Sequence, residues 1–209
     1  MSGRIIEGAG CLAEGADHLS RADPVMAHIL SQTGPLPLRR TPDGFAALLD
    51  AIIGQQVSTA SARAIWARLE AAGMTDPDRV ADTSEQDLRA LGLSRQKARY
   101  ARALAEARID YAALRLARDA EVIYTLTAVT GIGRWTAEIY TMFALGRADV
   151  FAPGDLALQE AARLAYDLPT RPTPRALAEL AERWSPWRAV AARALWSYYR
   201  VAKSREGIG

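Results

Sequence analysis

Two stretches of the chain carry residue types and spacings that could do chemistry. The first is Leu126-Thr-Ala-Val-Thr-Gly-Ile-Gly-Arg-Trp-Thr-Ala137. Gly131 and Gly133 allow a tight turn between two helices and a close approach of backbone to a partner. The helix that follows opens with the N–H groups of Gly133, Arg134 and Trp135, which lack acceptors inside the helix and form an anion site suited to a phosphate. A bare Gly-x-Gly is also an ordinary αα-turn, and both readings stand at this point. The second stretch is Pro153-Gly154-Asp155. A carboxylate there can cap the helix that starts after it, and a helix N-terminus favours negative charge. Other reactive groups are few. His18 and His28 lie outside every motif, Cys11 is the one cysteine, and Lys97 and Lys203 are the only lysines. A single thiol excludes an internal disulfide and any iron–sulfur cluster or zinc site built on several cysteines.

Helices must position these groups. Asp23-Pro24, Thr41-Pro42, Asp76-Pro77, Thr173-Pro174 and Ser185-Pro186 each pair a capping residue with a proline suited to the first helical position. Phe45, Leu48, Leu49, Ile52 and Ile53 share one helical face. Thr83 with Gln86 resembles a capping box opening a short helix that Gly92 stops. Ser94 caps a helix with Lys97, Arg99 and Arg102 on its polar side, and Asp119 caps another that turns Val122, Leu126 and Val129 inward. A helix over 134–144 follows the glycine turn, then Asp149-Val-Phe-Ala-Pro-Gly runs extended before helices resume after Asp155. The expected fold class is all-α.

With 209 residues the chain can bury a sizeable core in one or two domains. Half of it is hydrophobic, yet no apolar run approaches the roughly 20 residues of a membrane span. The opening segment lacks a basic stretch followed by an apolar one, so neither a secretory leader nor a membrane partner is expected. A reducing, cytoplasmic setting fits one cysteine. A net charge of +2 and a pI near 8.8 are too mild to indicate nucleic acid by themselves.

Taken in order, Gly131-Ile-Gly-Arg-Trp-Thr-Ala137, Leu145-Gly-Arg and Asp149-Val-Phe-x-Pro-Gly-Asp155 resemble the helix-hairpin-helix DNA glycosylase superfamily. Ile52-Ile-Gly-Gln-Gln-Val-Ser58, Leu91-Gly-Leu-Ser-Arg-Gln-Lys-Ala98 and Trp184-Ser-Pro-Trp-Arg188 bring the chain nearest to its DNA-3-methyladenine glycosylase II branch, in a compact form without the N-terminal β-domain. The likeness covers residues 23–202.

That resemblance implies a monomeric, monofunctional glycosylase that binds double-stranded DNA at a damaged base. It would flip out and hydrolytically remove alkylated purines, 3-methyladenine and 7-methylguanine, leaving an abasic site. Asp155 would be the catalytic carboxylate, Trp135 and Trp196 aromatic walls of the base pocket, and Gln56 the wedge filling the vacated stack. Gln55 would lie nearer the pocket, and Tyr140 is a further pocket candidate from its helical position. Gly131, Gly133, Arg134, Trp135 and Thr136 would meet the DNA backbone. No cofactor is expected beyond a monovalent cation on the backbone carbonyls of Thr127, Val129 and Ile132. Members that also cut the strand carry a hairpin lysine; its counterpart here is Trp135, which points to water as nucleophile. Ile139 replaces the relatives' pocket tyrosine, so the substrate range is open. The implied organisation is a 41–149 bundle containing the hairpin (120–145) and a second unit formed by 1–40 with 150–209, the active-site cleft lying between. A glycosylase for uracil or hypoxanthine, a non-catalytic helix-hairpin-helix module binding DNA structures, and an all-α interaction protein remain alternatives.

Overall fold

The computed structural model describes residues 3–206. Among them the secondary structure is helical throughout, apart from an isolated antiparallel bridge between Ile5 and Arg147. The expected all-α class is met. The helices are α1 (Ala9–Ala22), α2 (Pro24–Thr33), α3 (Phe45–Gly54), α4 (Thr59–Ala71), α5 (Pro77–Asp82), α6 (Glu85–Ala90), α7 (Arg95–Glu106), α8 (Tyr111–Leu116), α9 (Asp119–Thr127), α10 (Arg134–Phe143), α11 (Leu156–Ala165), α12 (Pro174–Ala181) and α13 (Arg188–Glu206), with a short 3-10 turn at Glu182–Trp184.

Local chemistry explains most of the helix starts. Asp23, Asp76, Ser94, Asp155 and Thr173 each accept a first-turn backbone N–H, as a capping side chain should. Four expected starts differ. The cap of α6 is Ser84, one residue beyond Thr83, whose hydroxyl instead donates to the Arg79 carbonyl at 2.7 Å. Asp119 is the first residue of α9, and the Arg118 N–H ahead of it donates to the Glu121 carboxylate. Thr41-Pro42 precedes α3 without opening it, because the chain turns at Gly44, φ 104, and its N–H goes to the Tyr140 hydroxyl. Ser185-Pro186 likewise precedes α13; the Ser185 hydroxyl and the Arg188 guanidinium both donate to Asp149, each at 2.8 Å.

The chain forms two compact units. One is Thr41–Tyr140, and the other joins Gly3–Arg40 to the segment from Thr141 onward. The division falls inside α10, whereas the sequence suggested 149/150. Residues beyond Tyr140 are tied into the second unit by backbone bonds: Ile6 N–H to Gly146 O, Ala148 N–H to Arg4 O and Ala189 N–H to Ala148 O.

In the first unit the apolar face of α3 is buried as its spacing required, Phe45, Leu48, Leu49, Ile52 and Ile53 all having 5% exposure or less. Helix α7 packs on α3, α5 and α6. Here one expectation fails: Lys97 lies on the buried face of α7, not its polar side. In the second unit α13 packs on α1, α2 and α11. Its polar centre is Asp23, which caps α2 and also accepts from the Tyr166 hydroxyl and the Trp184 indole N–H.

Candidate active site

The hairpin belongs to the first unit and is built from α9, a turn, and α10. Ile132 N–H closes the turn on the Val129 carbonyl at 3.0 Å. Gly131 has φ 100, which only glycine adopts readily, and a Cβ there would meet the Tyr100 ring at 2.4 Å. Gly133 differs: a Cβ would meet nothing within 4 Å, so its outer side is open. The helical ladder of α10 is entered when Ala137 N–H reaches the Gly133 carbonyl, so the amides before it face out of the helix end. Trp135 is 47% exposed on the first turn, and Thr136 is buried behind it. Arg134 extends into solvent while its Nε donates to Glu138 at 2.8 Å. Burial pushes the Glu138 carboxyl up, with Arg134 pulling the other way.

Of the carbonyls expected to suit a cation, Val129's already accepts the Ile132 N–H, which uses one of its two lone pairs. Thr127 ends α9 with its hydroxyl donating back to the Ile123 carbonyl. This all-oxygen donor set fits a hard monovalent ion.

Gln55 and Gln56 follow α3 in the same unit. The Gln55 amide donates to the Gly131 carbonyl at 3.2 Å, tying this loop to the hairpin turn. Gln56 is held at φ 56, in the left-handed region that non-glycine residues seldom occupy. Tyr140 is 6% exposed, and its hydroxyl accepts the Gly44 N–H at 2.9 Å; burial raises its pKa to about 12. Its ring therefore belongs to the packing of this unit, while Ile139 beside it is half-buried.

In the second unit Asp155 caps α11. One carboxylate oxygen, Oδ1, accepts from Ala157 N–H and Leu158 N–H, both at 2.9 Å, and from the Trp196 indole at 3.2 Å. The capping role and a chemical role are thus compatible in one side chain. The loop ahead of it is fixed by Gln159, whose buried amide donates back to the Pro153 carbonyl at 2.8 Å. Behind Trp196 lies Phe143, ring centroids 5.7 Å apart, and behind Phe143 the Arg193 guanidinium at 4.5 Å. Arg193 also donates to the carbonyls of Ala189 and Leu38. Its pKa is lowered to about 10, by burial first and then by Arg39 and Arg40.

The structure thus brings Trp196 to Asp155 within one unit, and Gln55 to the hairpin within the other. Reading the sequence missed Gln159, Phe143 and Arg193. Gln159 had a signal: side chains on a helix lean toward its N-terminus, so a residue four past the cap reaches the preceding loop.

A model of the HhH-GPD superfamily of base excision DNA repair proteins matches residues 49–186, a span holding Gln55, Gln56, the hairpin and Asp155. DNA-3-methyladenine glycosylase 1 of Schizosaccharomyces pombe is 30% identical over 198 residues, covering 88% of this chain and 86% of that protein. A structure of 3-methyladenine DNA glycosylase from Schizosaccharomyces pombe in complex with abasic DNA superposes with TM-score 0.75 at 28% identity, over 91% of this chain and 97% of the other. The DNA-3-methyladenine glycosidase of Bacillus halodurans superposes with TM-score 0.80 at 31% identity, over 90% of this chain and 89% of the other.

Proposed function

This chain belongs to the HhH-GPD superfamily of base excision DNA repair proteins, and from that premise we propose that it is a monofunctional DNA glycosylase removing alkylated purines from double-stranded DNA. The observation that carries the reading is the Asp155 carboxylate, fixed through one oxygen by two backbone amides and the Trp196 indole. The names of the three similar proteins described above, each a 3-methyladenine glycosylase or glycosidase, support the substrate class.

In this reading the outward amides at the start of α10 hold a DNA phosphate, with the open flank of Gly133 admitting the strand. Arg134 adds positive charge there. The carbonyls of Thr127, Val129 and Ile132 are donors suited to a monovalent cation, which supplies further positive charge beside a phosphate when bound. Gln56 enters the stack as the base leaves it, offsetting part of an unstacking cost of a few kcal/mol. Exposed Trp135 in the first unit, and separately half-buried Trp196 in the second, are each an aromatic face suited to a cationic base, about 0.5–2 kcal/mol per good contact.

The chemical step is a displacement at the sugar. As the N-glycosidic bond breaks, its electron pair goes to the base, cancelling the positive charge of an alkylated purine, and the sugar becomes oxocarbenium-like. The Asp155 carboxylate stabilises that charge and takes a proton from the water that adds to C1′. An alkylated base leaves without protonation, which suits a site whose one assigned acid–base group is Asp155. The hairpin carries no lysine, which supports water as the nucleophile and an unbroken strand as product.

The presence of Ile139 favours keeping a second reading, a monofunctional activity on uracil or hypoxanthine. Duplexes bearing 3-methyladenine, 7-methylguanine, uracil or hypoxanthine separate the two. Release of the methylated purines alone is expected; release of only the deaminated bases replaces the first reading, and binding without any release makes the protein a DNA-binding module.

A further inference from the structure

Lys97 is one of two lysines in the chain, yet it is only 8% exposed. Lysine is almost never buried without a partner, because an ammonium stripped of water is costly. The partner here is the Ile53 carbonyl, 2.6 Å from Nζ, in the last turn of α3. Carbonyls at a helix C-terminus lack intrahelical donors, and a cation there is favoured by the helix dipole. Burial pulls the Lys97 pKa below its ordinary value. A methionine would fill the same volume without that penalty, so the charge calls for a reason.

The chain leaves α3 directly into Gln55 and the left-handed Gln56. Gln55 is anchored to the hairpin through Gly131. Tyr100, three residues past Lys97 and so on the same face of α7, supports the hairpin glycine from beneath. One face of one helix therefore holds both the base of the glutamine loop and the turn of the hairpin.

We propose that Lys97 is a positioning residue: its bond to Ile53, with the Gln55–Gly131 contact, locks the loop bearing Gln56 to the hairpin so that the two engage DNA as one body. The proposal rests on the reading of Gln56 as the wedge. Lys97 acts on the flipped state of DNA, not on contact with an intact duplex.

The test compares affinity for a duplex holding a tetrahydrofuran abasic analogue with affinity for the same duplex undamaged. Lys97→Met is expected to lower this preference about tenfold while leaving undamaged affinity within about twofold. Gln56→Ala should lose the same preference, and the double variant should be no worse than Gln56→Ala alone, since both changes remove one function. Additive losses, or a parallel loss on both duplexes that tracks a fall in Tm, overturn the proposal by making Lys97 merely structural. An unchanged preference in Lys97→Met overturns it too. If Lys97→Met does not fold, Gln55→Ala cuts the other tether from the surface; an undiminished preference there defeats the locking. If Gln56→Ala keeps full preference, the wedge reading itself fails, which is distinct from a loss in Gln56→Ala with none in Lys97→Met.

Discussion

Asp155 receives three N–H donors on a single oxygen, and the indole among them comes from a residue forty-one positions later in the chain. Trp196 therefore holds the carboxylate, and in the proposed function it also offers a ring face. Phenylalanine separates the two roles, because it keeps the face and removes the donor. Trp196→Phe should slow single-turnover base release roughly tenfold, the worth of about 1.5 kcal/mol for a hydrogen bond to a charged acceptor, with little change in affinity for the substrate duplex. A loss of affinity with an unchanged rate would mean that the indole serves the base and not Asp155. The capping of α11 by Asp155 was legible from its place after Pro153-Gly154 at a helix start, whereas a catalytic role for it was implied only by the family resemblance; its indole partner was not legible, since nothing in the sequence near 155 points to residue 196.

At the scale of elements, two glycines of one turn have opposite constraints. Gly131 sits at φ 100 with the Tyr100 ring where a Cβ would go, whereas Gly133 faces open space. Gly131→Ala should destabilise the protein by about 1–3 kcal/mol in urea unfolding, and Gly133→Ala should be close to neutral. In the other unit, Asp23 joins α2 to the end of α11 and the Trp184 turn. Burial alone would raise its pKa, but the Tyr166 and Trp184 hydrogen bonds, with backbone donors, outweigh burial and hold it below the usual value. A depressed folded pKa contributes stability above the unfolded value, about 3.9, and that contribution is lost as pH falls through the folded pKa. The stability gap between wild type and Asp23→Asn should therefore be full at pH 6 and shrink below about pH 4; a gap independent of pH would contradict the ionised hub. Helix starts were readable where a short polar side chain could reach the first-turn amides, as at Asp23, Asp76, Ser94 and Thr173. They were misread at Thr41 and Ser185, where a more distant partner took the group instead: Tyr140 held the Gly44 amide, and Asp149 took Ser185. The burial of Lys97 was hidden for a similar reason, because its acceptor is a backbone carbonyl and no sequence pattern marks one.

For the molecule as a whole, the middle of the chain makes one unit and its two flanks the other, so the hairpin and the proposed catalytic carboxylate reside in separate units. Their failures should separate too. Gly133→Asp places a negative charge on the open side of the hairpin; it should fold normally and lose about tenfold or more in affinity for undamaged duplex, as like charge meets phosphate. Asp155→Asn should bind that duplex at least as well as wild type. Equal binding defects in both would contradict the division of roles. The most direct test of the central claim is single-turnover release of 3-methyladenine and 7-methylguanine from methylated duplex, wild type beside Asp155→Asn, with the DNA run before and after alkali. Release should fall at least about a hundredfold in the variant, with strand breaks that appear only after alkali. Equal release by both proteins, or strand cleavage without alkali, would contradict it.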